Sequence, residues 1–195
     1  MIFMYKVLKF LVKIFCKIIF FVRVEGEENI PKEGAAILAV NHVSFWDPPV
    51  LISALKRPMR TMAKSELFKH RLLVPFLKMA GAFPINRGTN DITAIKTALR
   101  TLKDGGIFTI FPEGTRVKAG EASDAKAGVA LIASKSGAPV IPIAMRGGYR
   151  LFKRVTIYVG EPMYITDENG VKPSADELKI YADAVLNRIN SLGVK

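Results

Sequence analysis

The chain has 195 residues, 50% of them hydrophobic, and a formal net charge of +12. This length accommodates one domain with a substantial core, and the hydrophobic content excludes an intrinsically disordered chain. The single cysteine, Cys16, excludes an internal disulfide and a cysteine-rich metal site, and it fits a reducing compartment. The positive charge indicates a partner of opposite sign, which could be nucleic acid, an anionic membrane surface or a phosphorylated substrate.

The first 22 residues are mostly apolar and carry lysines at helical spacing. On a helix these lysines would lie within an arc of about 80°; they are Lys6, Lys9, Lys13 and Lys17. This pattern is typical of an amphipathic helix in the membrane interface, with its ammonium groups facing lipid phosphates. A membrane-spanning helix and a helix packed on the protein are the alternatives, and lysines at mid-depth disfavour the first. We predict a membrane-associating helix over residues 1–23 and a folded domain over residues 24–195.

A histidine and an aspartate lie five positions apart after a short apolar run. The run at residues 36–40 predicts a buried strand, and Asp47 with Pro48 predicts a helix start, with Asp47 near the N-cap. His42 would then lie in a strand-to-helix loop, where α/β proteins commonly place chemistry. A histidine oriented by a carboxylate can take a proton from a hydroxyl. The alternative is that Asp47 only caps the helix, and this short pattern does not decide between them.

Strand and helix patterns alternate along the rest of the chain. Strands are expected near residues 22–24, 59–63, 82–86, 107–111, 140–145 and 155–159. Helices are expected at residues 48–55, from a cap at Thr89 or Asn90 to Gly105, at residues 124–136, and after a capping box of Ser174 and Glu177. This order predicts an α/β fold with a mostly parallel central sheet flanked by helices. Residues 68–81, apolar and basic together, form either a buried helix or a second membrane-contacting surface.

Four segments resemble, in order, the motifs of the glycerophospholipid acyltransferase family. They are Asn-His-x-Ser-x-x-Asp at residues 41–47, Gly-Ala-Phe-Pro-Ile-Asn-Arg at 81–87, Phe-Pro-Glu-Gly-Thr-Arg at 111–116 and Val-Ile-Pro-Ile-Ala at 140–144. The resemblance covers approximately residues 24–165. It implies an enzyme that transfers a fatty-acyl group from a thioester to the free hydroxyl of 1-acylglycerol 3-phosphate, which gives phosphatidic acid for phospholipid synthesis.

The resemblance also implies roles for individual residues. His42 would be the general base and Asp47 the residue that orients it. The substrate-binding residues would be Lys64, Arg87, Glu113, Gly114, Thr115, Arg116 and Lys126. An arginine can clamp a phosphate through two parallel hydrogen bonds, and a buried Glu113 would need a partner, for which Arg116 is the obvious candidate. The chain departs from the family at Val117, where serine is common, and at Ala125, where an aromatic residue is common, so the acceptor site would differ in shape.

The donor would be a fatty-acyl thioester on coenzyme A or acyl carrier protein, with no metal and no other cofactor. The expected location is the cytoplasmic face of an anionic membrane; nucleic acid is disfavoured because the most basic helix is also the most apolar. One alternative is an acyltransferase for another lysolipid or an amino-acid-derived acceptor. Another is a non-enzymatic basic membrane-binding protein, which would leave His42, Asp47 and Glu113 without a purpose. Because the catalytic groups follow residue 40, we expect activity to survive removal of residues 1–22.

Overall fold

The strands form one seven-stranded mixed sheet in the order β1-β7-β6-β2-β5-β3-β4. The computed structural model describes residues 2–86, 91–117, 125–150, 152–165 and 173–194. The strands are β1 (Phe20–Glu25), β2 (Ala36–Val40), β3 (Met59–Lys64), β4 (Ala82–Ile85), β5 (Ile107–Ile110), β6 (Val140–Gly147) and β7 (Lys153–Val159). The helices are α1 (Ile2–Ile19), α2 (Asp47–Ala54), α3 (Val74–Met79), α4 (Ile92–Lys103), α5 (Gly128–Ser136) and α6 (Ala175–Ser191).

The predicted α/β class is confirmed. The sheet is mixed because β7 and β1, the two strands at one end of the strand order, run opposite to the other five. Strand β7 pairs with β6 in the antiparallel direction, and β1 pairs with β7 in parallel. The other five strands, β6, β2, β5, β3 and β4, all run the same way. Their carboxyl ends therefore meet at one edge of the sheet, and the motifs at residues 41–47 and 111–116 follow the ends of β2 and β5 there.

Strand β2 is buried on both faces and divides the core into two layers. Ile37 and Ala39 face a core built with α4, α5 and α6, whereas Ala36, Leu38 and Val40 face a core built with α1 and α2. Successive side chains of a strand point to opposite faces, and a strand covered on both faces needs an unbroken apolar sequence. This is why the run Ala-Ile-Leu-Ala-Val predicts a central strand.

Two helix starts differ from the prediction, and a third matches it. Helix α4 is capped by Asp91, whose Oδ1 accepts from the Ala94 N–H at 2.9 Å; Thr89 and Asn90 lie outside the described residues. The backbone N–H groups of Asn86 and Ala94 lower the pKa of Asp91. Helix α5 begins at Gly128, later than expected. The capping box of Ser174 and Glu177 is confirmed, with both reciprocal hydrogen bonds formed.

The N-terminal segment is built into the core. Cys16 of α1 and Phe20 of β1 are 1% and 3% exposed, and both belong to the core that α1 and α2 form. Helix α1 ends at Ile19, so the predicted boundary at residue 23 falls inside β1. Removing residues 1–22 would delete half of this strand along with buried apolar side chains. The structure therefore argues against the expectation that activity survives that truncation.

Lys9, one of the four lysines at helical spacing in α1, binds the C-terminal end of α2. The Lys9 ammonium donates to the carbonyl oxygens of Leu55 and Lys56, where α2 ends. Burial, with repulsion from Lys13, lowers the pKa of Lys9. A cation at a helix C-terminus satisfies carbonyl groups that have no partner within the helix. Lys9 is therefore a structural residue, whereas Lys13 is exposed; the side chains of Lys6 and Lys17 lie outside the description.

Helix α1 has an apolar face that is largely exposed. Its exposed large side chains are Val7, Phe10, Leu11, Ile14, Phe15 and Ile18. Among the described residues, no helix combines the length and the apolarity that a bilayer crossing requires. Helix α1 thus packs one stripe against the protein and presents a second apolar stripe outward.

Candidate active site

Hydrogen bonds of the Asn41 side chain fix the backbone at the end of β2. This side chain, which is buried, accepts from the Met145 N–H at 2.6 Å and donates to the Met145 carbonyl at 3.2 Å. This pair of bonds ties the end of β2 to β6, the neighbouring strand. Because the backbone at Asn41 is fixed, His42 leaves the sheet in a defined direction.

His42 and Asp47 form the dyad that the sequence predicts. The His42 Nδ1 atom lies 2.8 Å from Asp47 Oδ2, and the backbone N–H groups of Val43 and Ser44 donate to the same oxygen at 2.8 Å. Asp47 is 0% exposed and is the first residue of α2, one position beyond the N-cap. The Oδ2 atom thus has two backbone N–H donors and the imidazole as partners.

The hydrogen bonds also determine which histidine nitrogen can act as a base. An ionised Asp47 can only accept, so Nδ1 of His42 carries the proton and Nε2 carries the lone pair. The imidazole is 13% exposed, so it is shielded but not sealed from solvent. The Phe111 ring stacks on it with centroids 4.3 Å apart. The dyad is therefore arranged to accept a proton at Nε2.

The segment that follows β5 holds the histidine backbone. Glu113 is buried, and its Oε2 accepts from the His42 N–H at 2.7 Å, while the Val117 N–H donates to the His42 carbonyl at 2.8 Å. Strands β2 and β5 are neighbours in the sheet, which brings the two motifs together. Glu113 thus has a partner that the sequence did not suggest, and the Arg116 side chain is exposed.

Gly114 lets Lys126 approach the same segment. Gly114 has a φ of +68°, and a Cβ atom on it would lie 2.7 Å from Lys126 Cε. The left-handed backbone favours glycine, and the flexible Lys126 side chain lies over its open side. The Lys126 N–H donates to the Pro112 carbonyl at 2.9 Å, which anchors the lysine beside the motif. Thr115, Arg116 and Lys126 are all exposed around this turn.

Lys64, one of the predicted substrate-binding residues, lies at the far side of the same edge. Lys64 ends β3 and is aligned with Ile85 at the end of β4. Its ion pair with Glu66, at 3.3 Å, is half exposed and contributes little. Arg87 lies outside the described residues, so its predicted role stays a prediction.

Tyr149 is a site residue that the sequence analysis missed. It follows β6, and its hydroxyl donates a hydrogen bond to Asp47 Oδ1. Burial, followed by the nearby Asp47 carboxylate, raises the pKa of the Tyr149 phenol. The block at residues 140–144 indicates only a core strand, and the loop after it carries no motif. Without the sheet order, nothing in the sequence connects Tyr149 to Asp47.

A cavity of about 410 Å³ lies at the opposite edge of the sheet. Its lining comes from segments that precede the strands, including Pro31 before β2, Arg57 before β3 and Ile107 at the start of β5. The Arg57 guanidinium closes this region by donating to the carbonyl oxygens of Pro31 and Gly105. The cavity is therefore separate from the edge that holds the dyad.

An α/β sheet with a His–Asp dyad at the carboxyl ends of its strands has the arrangement that general-base catalysis requires. A model of the acyltransferase family matches residues 21–146, and the chain belongs to this family.

Two acyltransferase sequences and one solved structure are similar to the chain. A 1-acyl-sn-glycerol-3-phosphate acyltransferase of Bacillus subtilis is 34% identical over 88% of this chain and 87% of its own length. One from Streptococcus pneumoniae is also 34% identical, over 80% of this chain, which spans 58% of that protein. The crystal structure of the 1-acyl-sn-glycerophosphate acyltransferase PlsC from Thermotoga maritima superimposes with a TM-score of 0.71 at 28% identity, covering 98% of this chain and 81% of that chain.

Proposed function

We propose that this protein transfers a fatty-acyl group from an acyl thioester to the free hydroxyl of 1-acylglycerol 3-phosphate, forming phosphatidic acid. The observation that carries the proposal is the contact of 2.8 Å between the buried Asp47 and Nδ1 of His42. It leaves Nε2 as the nitrogen that accepts the hydroxyl proton. Membership of the acyltransferase family and the names of the relatives support the reaction and the acceptor.

The reaction is a direct transfer. The acceptor hydroxyl gives its proton to His42 Nε2 while its oxygen bonds to the thioester carbonyl carbon. Asp47 stabilises the imidazolium that forms. The tetrahedral intermediate then collapses, the carbon–sulfur bond breaks, and the imidazolium returns the proton to the leaving sulfur. An ester and a free thiol result, and the thioester, on coenzyme A or acyl carrier protein, is a co-substrate of a mechanism that uses no further cofactor.

The residues around the dyad divide into two groups. Glu113 and Gly114 shape the site, since one binds the His42 backbone and the other admits Lys126. A carboxylate that holds the His42 amide is poorly suited to bind an anionic acceptor directly. We assign the acceptor phosphate to the remaining predicted residues, which are Lys64, Arg87, Thr115, Arg116 and Lys126. Cations and hydroxyl groups are the usual phosphate ligands.

A panel of acceptors tests this function. Release of free thiol from acyl-coenzyme A or acyl carrier protein should be fast with 1-acylglycerol 3-phosphate. It should be slow with a neutral 1-acylglycerol and with an amino-acid-derived lysolipid, because these lack the phosphate that the cationic groups bind. A preference for the amino-acid-derived acceptor would replace the proposed substrate while keeping the chemistry.

Arg87→Ala should raise the apparent KM for 1-acylglycerol 3-phosphate at least about tenfold. A hydrogen bond to a charged group contributes about 1.5–3 kcal/mol, and 1.4 kcal/mol corresponds to a factor of ten. The KM for the thioester should change little. Arg100→Ala, which removes an exposed arginine from α4, is the matched control and should leave both values unchanged. Equal increases for acceptor and thioester in Arg87→Ala would indicate a structural arginine.

We also propose that the enzyme works on the cytoplasmic face of an anionic membrane. Exposed apolar side chains support this in α1, in the catalytic loop at residues 41–46, and in α3 with the turn before it; they include Phe10, Leu11, Ile18, Phe45, Leu72 and Phe76. Helix α1 contacts α3, and Phe15 of α1 stacks on Trp46 of the catalytic loop with centroids 5.5 Å apart. An exposed apolar area beside basic residues is typical of a membrane-binding surface, and here it lies beside the dyad.

The lysines of α1 should contribute to this binding. Changing Lys6, Lys13 and Lys17 together to Gln should weaken binding to anionic liposomes by about 100-fold, since each lysine near an anionic leaflet contributes about 1 kcal/mol. Lys9 is left intact because it caps α2. Binding to neutral liposomes should change little, and co-sedimentation measures both.

The matched control changes three exposed lysines on the opposite side of the sheet, Lys96, Lys103 and Lys135, to Gln. It removes the same charge from α4 and α5 and should leave liposome binding near the wild-type value. Equal loss in the two triple variants would show that net charge, and not the α1 surface, determines binding.

A further inference from the structure

The two carboxylate oxygens of Asp47 have different partners. Oδ2 accepts from the ring of His42 and from the backbone N–H groups of Val43 and Ser44. Oδ1 accepts from the hydroxyl of Tyr149. The dyad thus has a third member, which comes from the loop after β6 and not from the motif that contains the other two.

The Tyr149 ring is held in place by aromatic packing. It meets Phe20 edge-to-face with centroids 5.6 Å apart, and Phe20 in turn packs on Trp46, the residue before Asp47, at 5.8 Å. The Met145 sulfur lies 3.9 Å from the hydroxyl, so the oxygen has an apolar neighbour on that side. The packing therefore holds the ring in the orientation that directs its hydroxyl toward Asp47.

The hydroxyl can act only as a proton donor to Asp47. Burial and the Asp47 carboxylate raise the pKa of Tyr149, and the remaining titratable group that acts on it is Cys16. Burial also raises the pKa of Cys16, so its thiol stays neutral. Tyr149 consequently keeps its proton over the pH range of an activity assay, and Asp47 remains the one charged group that the hydroxyl faces among the described contacts.

We propose that Tyr149 is a positioning residue of the dyad, whose hydroxyl sets the rotation of the Asp47 carboxylate and draws negative charge from it. This inference rests on the proposed roles of His42 and Asp47. Without the hydroxyl, Oδ1 would lie in a buried position without this donor, and more of the charge would act on His42. The imidazolium would then be held more strongly and would return its proton to the leaving sulfur less readily.

Tyr149→Phe removes the hydroxyl and keeps the ring that packs on Phe20. The chain has two histidines, His42 and the exposed His70, so NMR titration can follow His42 directly with His70 as an internal reference. We expect the titration midpoint of His42 to move up by about one pH unit and that of His70 to stay unchanged. The acidic limb of the kcat/KM profile should move the same way, and kcat should fall about tenfold with little change in acceptor KM.

Tyr158→Phe, the same change at a half-buried tyrosine of β7, is the matched control and should leave the His42 midpoint and the rate unchanged. Incorporating 3-fluorotyrosine at position 149 retains the fold and strengthens the donor, so it should move the His42 midpoint to lower pH. This substitution decides the question if Tyr149→Phe does not fold.

A folded Tyr149→Phe protein with wild-type midpoint and pH profile would overturn the proposal, and so would a fluorotyrosine protein with no shift. The midpoint is measured without turnover. Failure of the proposed function would appear separately, as an undiminished rate in His42→Ala.

Discussion

His42→Ala should lower kcat by about 10²–10⁴-fold, the usual contribution of a general base, while the domain stays folded. The substitution removes Nε2, the atom to which the acceptor hydroxyl passes its proton. It keeps the two backbone bonds of residue 42, from its N–H to Glu113 and from the Val117 N–H to its carbonyl. Because these bonds do not need the imidazole, the loss should be catalytic and not structural.

Thiol release measures the rate of this variant, and thermal unfolding followed by circular dichroism measures its fold. His70→Ala is the matched control, since it removes the exposed histidine of the chain and should retain the wild-type rate. A folded His42→Ala protein that works at nearly the wild-type rate would contradict general-base catalysis by His42.

Asp47→Asn should lower kcat by about 10³–10⁴-fold, the scale of the same change in other His–Asp enzymes. The carboxylate accepts from Val43 N–H, Ser44 N–H, His42 Nδ1 and the Tyr149 hydroxyl. An amide has only one acceptor oxygen. Its NH₂ group must therefore face either the Tyr149 hydroxyl or the side of Oδ2, where the two backbone N–H groups and His42 Nδ1 lie. With the NH₂ group toward His42, Nδ1 would become the acceptor and Nε2 would carry the proton, which is the wrong tautomer for a base.

The same substitution should also destabilise the domain by about 1–3 kcal/mol, because a buried donor loses its acceptor. Denaturant unfolding measures this effect, and kcat is measured under native conditions. Asp104→Asn, at an exposed carboxylate after α4, should change neither quantity. If Asp47→Asn kept the rate within a factor of ten, Asp47 would be only a residue of the helix start, the alternative interpretation of the short motif.

The sequence predicts the dyad because the dyad is local. His42 and Asp47 are five residues apart, and a strand end followed by a helix start brings them together without help from distant segments. Glu113 and Tyr149 are 71 and 102 residues from their partners in the site. Their contacts depend on which strands are neighbours, and hydrophobic periodicity does not specify strand order.

The N-terminal segment shows the limit of pattern analysis. Residues 18–24 form a nearly continuous apolar run, which suits a helix and a strand equally. The strand expected near residues 22–24 is present, but its start at Phe20 was not visible. The role of Lys9 depends on carbonyl groups more than 40 residues away. By contrast, the sequence does indicate the antiparallel pairing of β6 with β7. Only residues 148–152 connect these strands, and parallel neighbours need a longer crossover.

The most direct test of the central claim is a product analysis of the wild-type protein with 1-acylglycerol 3-phosphate and an acyl thioester in micelles. Mass spectrometry and a thiol assay would follow phosphatidic acid and free thiol in the same sample. Direct transfer through the His42–Asp47 dyad predicts one phosphatidic acid for each thiol released, and negligible thiol release when the acceptor is omitted. Thiol release at the same rate without the acceptor, or without phosphatidic acid, would contradict it.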